Sequence, residues 1–324
     1  MDTLVLTRSE VADLLEPKSL LGALRDAFIA YSTGRTVEAM RIPLVLPDSG
    51  AAAGASGMLL APGLVPGIPA YSVKVHAKFP GQRPAIRGVL VLHDLASGAP
   101  LALIESSHLT ALRTGLAGAL GAEALSLPTA RTVAIIGAGA QGRSHLAALQ
   151  LVRSIDVVRV FDPDSEAAQR FAIDPCCSGL RVALTASLEE ALDEADLIAT
   201  ATWARKPFLF KRHLRPGMHI TTLGPDEPGK CEVAADALKA AVVIVDDRRL
   251  AVEMGAIGGA CLGSDVIHAE LGEVLAGKRS GRTDATQITV FASVGLAFQD
   301  LAAGWLVYTL ARQRGIGRTI DLLG

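Results

Sequence analysis

Short apolar segments alternate with helical stretches in the second half of the chain, and this alternation limits the possible folds more than any other feature. Six apolar runs predict buried strands at 133–136, 157–161, 197–200, 219–223, 242–245 and 287–291. Strands of this length, separated by helices, form a parallel sheet with helices on both faces. The segment is therefore predicted to be an α/β domain with a doubly wound parallel sheet.

A glycine-rich turn connects the first of these strands to the helix after it. Its sequence, Gly137-Ala138-Gly139-Ala140-Gln141-Gly142, has the G-x-G-x-x-G spacing. The first glycine allows a tight turn, the second lets the backbone approach a diphosphate, and the third lets the helix pack closely on the strand. The free N–H groups at the helix start attract the diphosphate. Because the motif stands between a predicted strand and a predicted helix, it indicates a Rossmann-type dinucleotide site.

An acid at the end of the second strand bears on which dinucleotide binds. Asp162 directly follows this strand. A carboxylate there accepts hydrogen bonds from the adenosine ribose and repels a 2′-phosphate, which favours NAD(H) and leaves NADP(H) possible. Thr202, after the third strand, is expected at the same edge of the sheet. The residues predicted to bind the cofactor are Gly137, Gly139, Ala140, Gln141, Gly142, Asp162 and Thr202.

The first hundred or so residues have a different pattern, with helices followed by short strands. Thr7 and Glu10 have the spacing of a capping box, which begins a predicted helical region that extends to about Tyr31. Apolar runs at 71–75, 88–92 and 101–105 predict strands, the last two joined as a hairpin across Ser97 and Gly98. This region is predicted to be a second, α+β domain.

Two domains are predicted because 324 residues exceed what one core usually supports. Residues 1–112 together with 301–324 form the predicted substrate-binding and dimerisation domain, and residues 113–300 form the predicted dinucleotide-binding domain. After the last expected strand comes a helix, 295–312, that is apolar nearly all round. It must be covered by the first domain or by a second subunit, so a homodimer is expected. Gln299 and Asp300 inside this segment argue against a membrane span.

Composition and charge exclude several classes of partner. Half of the residues are hydrophobic and the formal net charge is −2, so neither nucleic acid nor a membrane surface is an expected partner. The four cysteines and seven histidines have no metal-binding spacing, and no metal is expected. The chain shows no apolar leader segment at its start, and a cytoplasmic location is expected.

Several segments resemble the ornithine cyclodeaminase and mu-crystallin family, and the resemblance covers nearly the whole chain. The segments that carry it are 40–41, 71–75, 109–115, the glycine-rich turn at 137–142, 223–230 and 288–295. The family includes cyclodeaminases, ketimine reductases, certain alanine dehydrogenases and a thyroid-hormone-binding reductase. The resemblance therefore implies a small imino or amino acid as substrate but does not identify it.

The resemblance also implies roles for particular side chains. Arg41, Lys74 and Arg113 occupy positions where relatives hold the substrate carboxylate, a task suited to guanidinium and ammonium groups. Arg113 is also a candidate to bind cofactor phosphate. Asp226 and Lys74 are implied as catalytic residues, and Ser293 as a further substrate-binding residue. Lys74 lies within an apolar run, where its charge needs a partner.

One departure from the family bears on the reaction. Cyclodeaminases carry a glutamate three residues before a proline in the segment where this chain has Leu59 and Pro62. An acid there would hold the distal ammonium of ornithine, so its absence favours NAD(P)H-dependent reduction of a cyclic ketimine acid, pyrroline-2-carboxylate or piperideine-2-carboxylate. Ornithine cyclodeaminase, an alanine dehydrogenase-like enzyme and a non-catalytic mu-crystallin-like binding protein remain alternatives. Residues 84–86 also lack the small polar pair that relatives place near the nicotinamide.

Overall fold

A computed structural model of the chain describes residues 2–34, 37–45, 57–79 and 82–322. The chain divides into two compact units: the first comprises residues 1–113 and 296–324, and the second residues 114–295. The second division lies at Leu296 rather than at residue 301, because the whole terminal helix belongs to the first unit. No helix in the described part of the chain is long and apolar enough to cross a membrane.

Helices and strands alternate along most of the chain. In chain order they are β1 (Asp2–Leu6), α1 (Arg8–Leu14), α2 (Pro17–Gly34), β2 (Ile42–Val45), β3 (Gly57–Gly63), β4 (Ala70–Lys78), β5 (Ile86–Asp94), β6 (Pro100–Glu105), α3 (Ser107–Leu125), β7 (Thr132–Ile136), α4 (Ala140–Val152), β8 (Val157–Phe161), α5 (Ser165–Ala172), β9 (Arg181–Leu184), α6 (Leu188–Leu192), β10 (Leu197–Thr200), β11 (His219–Thr222), α7 (Ala235–Lys239), β12 (Val242–Val245), α8 (Arg248–Met254), α9 (Ala256–Gly259), β13 (Ile267–Glu270), α10 (Leu271–Leu275), β14 (Thr289–Ala292), α11 (Ala297–Arg314) and β15 (Arg318–Asp321). Short 3-10 helices lie at Pro175–Cys177, Lys211–His213 and Ser264–Val266.

The first unit contains a mixed sheet with the strand order β15-β1-β6-β5-β4-β3-β2. The three predicted strands and their hairpin are present as β4, β5 and β6. The expectation that the chain begins with helices was wrong, because β1 precedes α1 and pairs with both β6 and β15. The expectation that 287–291 is the last strand was also wrong, since β15 follows α11. Strands β2 and β3 were not predicted either. The exposed strand β15 has no apolar run, and β1 has only the short run 4–6.

Helix α11 packs on the sheet and on α2 within the first unit. The ring of Phe298 stacks on Tyr31, with 4.6 Å between ring centroids, and meets Phe28 edge-on at 5.1 Å. These aromatic contacts hold the first turn of α11 in place. As a result, Gln299 and Asp300 in that turn are buried.

The second unit contains a parallel sheet with the strand order β13-β12-β14-β11-β10-β7-β8-β9. This order, with helices between the strands, confirms the predicted doubly wound α/β fold. The sequence did not predict β9 and β13, which lie at the two edges of the sheet. Edge strands include solvent-facing residues, so β9 and β13 lack the apolar runs of the central strands.

Two histidines are buried in the interior of the second unit. The Nδ1 atom of His145 lies 3.1 Å from the Gly115 carbonyl oxygen, and His219 contacts the hydroxyls of Thr289 and Thr221. Burial lowers the pKa of His145 to about 4 and lowers the pKa of His219 well below its usual value. Both rings are therefore neutral at neutral pH.

Candidate active site

Lys74 lies on the buried face of β4 in the first unit. Alternate residues of this strand are buried, and Lys74 shares the buried face with Ser72 and His76. Since side chains of a strand point alternately to its two faces, Lys74 is directed into the interior of the unit. The sequence predicted that a charge in this position needs a partner, and the structure supplies Asp300.

The carboxylate of Asp300 binds two cations from two different elements. One oxygen, Oδ2, accepts a hydrogen bond from Lys74 Nζ. The other, Oδ1, accepts from Arg113 Nε at 2.9 Å, and Arg113 Nη1 donates to Gln299 Oε1 at 2.7 Å. The Lys74 and Asp300 side chains are only 3% and 1% exposed, so water contributes little to balancing their charges. We call Lys74, Arg113, Gln299 and Asp300 the buried cation cluster.

Burial and neighbouring charges determine the protonation of this cluster. Burial lowers the pKa of Lys74 to about 7, Asp300 opposes the shift, and the positive charges of Arg113 and Arg41 add to it. Burial by itself raises the pKa of Asp300, but the charges of Arg113 and Lys74 outweigh it and hold that pKa below its usual value. One carboxylate thus faces two cations, with Arg41 nearby. The positive excess is suited to a bound anion.

These contacts fix the orientation of Arg113 but do not use all of its N–H donors. A guanidinium group has five N–H donors in a planar fork, and the bonds to Asp300 and Gln299 use two of them within the described part of the chain. The remaining donors are of the kind that hold a carboxylate in bidentate fashion. Arg113 therefore has the chemistry of the predicted substrate-binding residue, and its possible contact with cofactor phosphate stays a prediction.

His76 and Leu59 lie on the same buried face of the sheet as Lys74. Strands β3 and β4 pair so that Leu59 stands opposite His76 and Ala61 stands opposite Lys74. The Nε2 atom of His76 lies 2.6 Å from Ser106 Oγ. Burial, followed by the charge of Lys74, lowers the pKa of His76 to about 3, so its ring is neutral. The neighbours of Lys74 across these strands thus carry no negative charge.

The glycine-rich turn of the second unit has the shape that a dinucleotide requires. Gly137 has a φ of 103°, and a Cβ there would lie 2.6 Å from the Ala201 carbonyl oxygen. A Cβ on Gly142 would lie 2.4 Å from the Gly137 carbonyl oxygen, whereas a Cβ on Gly139 would meet no atom within 4 Å. Gly139 is also the N-cap of α4, which begins at Ala140. Space is therefore open beside Gly139, at the start of a helix whose free N–H groups can attract a diphosphate.

Two further residues at this turn bear on cofactor binding. Asp162 Oδ2 accepts from the Ala138 N–H at 2.8 Å, and Oδ1 accepts from the Asp164 N–H at 2.9 Å. The carboxylate is thereby held at the turn by backbone groups. Within the described residues, the buried Oε1 atom of Gln141 accepts no hydrogen bond, although buried polar atoms are usually paired. These features fit a bound dinucleotide.

Glu232 connects the ends of β10 and β11 and was not predicted. It accepts from the hydroxyl of Thr200 at 2.6 Å, from the N–H and the hydroxyl of Thr202 at 2.7 Å each, and from the N–H of Gly224 at 3.3 Å. Burial raises its pKa, while these hydrogen bonds act in the opposite direction. The hydroxyl of Thr202, predicted to contact the cofactor, donates to Glu232. Its role toward a cofactor stays a prediction.

Asp226 lies in the loop after β11, as the sequence predicted. Its Oδ1 atom accepts from Lys230 Nζ at 2.6 Å, and its side chain is 25% exposed. The same Nζ atom lies 4.3 Å from the centroid of the Trp203 ring and 3.4 Å from the Gly224 carbonyl oxygen. The buried ammonium of Lys230 therefore fixes one carboxylate oxygen of a side chain that is partly exposed.

Ser293 is held by an acid that the sequence pattern did not single out. Its hydroxyl donates to Asp246 Oδ2 at 3.0 Å, and the same oxygen accepts from the N–H groups of Val294 at 2.9 Å and Gly295 at 2.7 Å. Asp246 is fully buried, and its pKa is raised by burial against the effect of these bonds. Ser293 belongs to the second unit, whereas Arg41, Lys74 and Arg113 belong to the first.

The functional residues that were missed left different signals in the sequence. Asp300 is visible as an acid in an otherwise apolar helix, but the sequence alone makes it only an argument against a membrane span. Lys230 stands four residues after Asp226, within the family segment 223–230. Glu232 and Asp246 carry no comparable local signal, because their partners are backbone and hydroxyl groups distant along the chain.

Fold and site together define a class of protein. The second unit has a doubly wound sheet with an open glycine-rich turn, and the first has buried cations suited to a carboxylate. These are the features of a dinucleotide-dependent oxidoreductase. The chain belongs to the ornithine cyclodeaminase/mu-crystallin family, whose sequence profile matches residues 1–315. The predicted family is thus confirmed.

Curated relatives share similarity over nearly all or most of the chain. An alanine dehydrogenase of Archaeoglobus fulgidus is 31% identical over 99% of this chain and 98% of its own length. A Δ1-pyrroline-2-carboxylate reductase of Bacillus cereus is 32% identical over 98% of this chain and 99% of its own. An ornithine cyclodeaminase of Brucella melitensis is 36% identical over 72% of this chain and 65% of its own. The relatives thus differ in activity at comparable identity.

Solved structures agree with the fold. An archaeal alanine dehydrogenase dimer with bound NAD has a TM-score of 0.90 and 31% identity, with both chains covered completely. The Δ1-pyrroline-2-carboxylate reductase of Thermococcus litoralis, in complex with NADH and L-proline, has a TM-score of 0.88 and 28% identity, covering 98% of this chain and all of its own. These relatives have the predicted fold class. They also have the predicted class of activity, that of an NAD(P)-dependent oxidoreductase acting on carbon–nitrogen bonds.

Proposed function

We propose that this protein reduces a cyclic ketimine acid, pyrroline-2-carboxylate or piperideine-2-carboxylate, to the cyclic amino acid with NADH. The observation that carries this proposal is the pairing of Leu59 with His76 beside Lys74. A cyclic ketimine acid has one carboxylate and no distal ammonium. A binding face with positive charge and an apolar leucine suits such a substrate better than it suits a diamine.

In this proposal the first unit binds the substrate carboxylate. Lys74, Arg113 and Arg41 supply the positive charge, and the guanidinium plane of Arg113 is fixed by Asp300 and Gln299. A guanidinium group whose orientation is already fixed loses less conformational entropy on binding than a mobile side chain does. The bound carboxylate therefore fixes one end of the substrate and so orients its ring.

The second unit is proposed to hold NAD(H) at the glycine-rich turn, with Asp162 at the adenosine ribose. When bound, the reduced nicotinamide supplies the hydride for the imine carbon. NADP(H) would bring its 2′-phosphate toward the Asp162 carboxylate, and like charges repel. NAD(H) is therefore the favoured cofactor, with NADP(H) as the weaker alternative.

Asp226 is proposed to supply the proton chemistry. It would hold a proton at the imine nitrogen, directly or through one water molecule, because a protonated imine carbon is more electrophilic. Its partial exposure and its hydrogen bond to Lys230 suit a carboxylate that must exchange a proton and keep its place. Lys74 and Ser293 are proposed as additional groups near the substrate.

Alanine dehydrogenase activity is the second candidate, favoured by the similarity to the Archaeoglobus fulgidus enzyme over nearly the full length. The imine of pyruvate also offers one carboxylate and no distal ammonium, so the same cations would hold it. Ornithine cyclodeaminase ranks lower because Leu59 replaces the acid expected for the second ammonium. A cofactor-binding protein without turnover ranks lowest, since Lys74, Arg113 and Asp226 are all present.

A substrate panel tests the proposal. Oxidation of NADH should be fastest with pyrroline-2-carboxylate or piperideine-2-carboxylate and slower with pyruvate plus ammonia, while ornithine with catalytic NAD should release little ammonia. Leu59→Glu should increase binding of ornithine, and Leu59→Gln, which has the same length without charge, should not. Rapid ammonia release from ornithine by the unaltered protein would reverse this ranking.

The two units are proposed to serve as a substrate-binding and dimerisation domain and as a dinucleotide domain, in a cytoplasmic homodimer. One structural relative is described as a dimer. All four cysteines are free thiols, as is usual in a reducing compartment. Light scattering at micromolar concentration should give the mass of two chains, and the mass of one chain would refute the homodimer.

A further inference from the structure

Asp300 connects the two cations of the buried cation cluster. Its two oxygens are divided between Lys74 of β4 and Arg113 of α3, which are 226 and 187 residues away along the chain. Gln299, the preceding residue, binds another nitrogen of Arg113. Consecutive residues of α11 thus determine the position of two cations that come from separate elements.

The charges around Lys74 make Asp300 important for its protonation. The charged or titratable groups that act on Lys74 are Asp300 from α11, Arg113 from α3 and Arg41 from the segment before β2. His76, on the same strand, stays neutral. Burial, Arg113 and Arg41 all favour the neutral amine, whereas Asp300 favours the ammonium ion. Removing the charge of Asp300 would therefore shift Lys74 toward the neutral form at physiological pH.

The position of Asp300 in α11 strengthens this effect. The first turn of a helix has unpaired N–H groups and a positive dipole end, which stabilise an anion. Asp300 lies in the first turn of the 18-residue helix α11, and the Phe298 contacts with Tyr31 and Phe28 hold that turn in place. The acid can therefore remain ionised although it is fully buried.

We propose that Asp300 is the positioning residue of the carboxylate-binding site, which raises the ammonium fraction of Lys74 and holds the guanidinium plane of Arg113. It acts through these two cations and does not itself contact substrate, because both of its oxygens are occupied by them. The identity of the bound acid rests on the proposed function. The effect of Asp300 on Lys74 does not depend on that identity.

A titration of Lys74 tests the proposal without any substrate. The chain has eight lysines, so ¹³Cε-lysine labelling should give a resolvable spectrum in which Lys74 is assigned by its absence in Lys74→Met. The midpoint in the unaltered protein should lie near pH 7. In Asp300→Asn it should fall by about one pH unit or more, because an opposite charge in direct contact is lost. An unchanged midpoint would overturn the proposal.

Kinetics provide a second readout. With pyrroline-2-carboxylate at pH 8, Asp300→Asn should raise KM about tenfold or more and lower kcat by a smaller factor, and lowering the pH should restore part of the affinity. Asp300→Glu should rescue KM in part. Asp13→Asn removes an exposed acid of the same unit and should leave the pH profile unchanged. A uniform loss of kcat at every pH would indicate a merely structural role.

Two further variants test the role of Asp300 if the Asp300→Asn protein folds poorly. Lys74→Met with Asp300→Asn removes one buried charge of each sign, and it should show no more pH dependence of KM than Lys74→Met alone. Gln299→Ala should raise KM without moving the Lys74 titration, since it releases only Arg113. If the unaltered protein reduces no ketimine but the Lys74 midpoint shifts as expected, the proposed function fails and the role of Asp300 stands.

Discussion

The two units of this protein build their binding groups in opposite ways. The glycine-rich turn of the second unit is made by six consecutive residues that run from the end of one strand into the first turn of one helix. The buried cation cluster of the first unit joins residues 74, 113 and 299–300, which only the folded chain brings together. A contiguous motif can be recognised from the sequence, whereas a dispersed cluster is visible there only as isolated charges.

The units also differ in how they use buried charge. The cluster of the first unit has two cations for one carboxylate, and this excess suits a ligand with one negative charge. In the second unit, Glu232 and Asp246 are neutralised by no cation in the described contacts and instead accept hydrogen bonds from backbone and hydroxyl groups. The buried cation cluster is suited to bind an anionic ligand, whereas the hydrogen bonds of Glu232 and Asp246 are suited to hold loops in position.

In the second unit, Asp226→Asn is the variant expected to separate proton transfer from NADH binding most clearly. The change removes the proton-transfer group and keeps its shape, so kcat should fall about 10²- to 10⁴-fold. The affinity for NADH, measured by fluorescence, should change little, because the glycine-rich turn is unaltered. Asp236→Asn, at an exposed position of the same unit, is the matched control. A parallel loss of NADH affinity would assign Asp226 to cofactor binding.

Acid should destabilise the second unit through its buried histidines. The folded-state pKa values of His145 and His219 are depressed, so the unfolded chain binds protons at a higher pH than the folded one does. The stability that these two histidines contribute should therefore be constant above about pH 6.5 and fall below it by about 1.4 kcal/mol per pH unit for each histidine, until the folded-state pKa is reached. Urea unfolding between pH 7 and pH 4 measures this loss.

Hydrogen exchange can assign the acid effect to one unit. His76 in the first unit has a similarly depressed pKa, but the second unit has two such histidines. Amides of β11 and β14, the strands that contain His219 and Thr289, should lose protection earlier on acidification than amides of β4 and β5. Equal loss in both units would contradict the expected difference. His145→Gln should reduce the acid sensitivity of the second unit.

Two alanine substitutions should separate the structural from the binding role of the glycine-rich turn. Gly142→Ala forces its Cβ against the Gly137 carbonyl oxygen and should destabilise the protein by about 1 to 3 kcal/mol. Gly139→Ala meets no atom of the chain within 4 Å and should leave the unfolding temperature nearly unchanged. It should nevertheless weaken NADH binding, because the methyl group fills space proposed for the diphosphate. Unchanged NADH affinity in Gly139→Ala would place the diphosphate elsewhere.

The smallest expected effect concerns the choice of cofactor. If Asp162 repels the 2′-phosphate, the unaltered protein should prefer NADH over NADPH about tenfold or more, equivalent to about 1.4 kcal/mol. Asp162→Ser should reduce this preference, although it also removes the bonds to Ala138 and Asp164. Asp164→Ser, which keeps the Asp162 carboxylate, is the control. A measured preference for NADPH would contradict the prediction.

The sequence by itself determined what local periodicity and contiguous motifs encode. The central strands of the doubly wound sheet, the glycine-rich turn and the place of Asp226 after β11 were all predicted, because each depends on neighbouring residues. Strands β1, β2, β3, β9, β13 and β15 were not predicted. These strands lie toward the edges of the two sheets, where pairing with a neighbour rather than a continuous apolar run defines them.

Only the tertiary structure decided which charges meet. The sequence indicated that Lys74 needs a partner, but no local rule selects an acid 226 residues later in an apolar helix. The same holds for Glu232 with Thr200 and for Asp246 with Ser293, which are 32 and 47 residues apart along the chain. Burial is the physical reason: an acid or a lysine inside a protein must find its partner wherever the packing of whole elements brings one within reach.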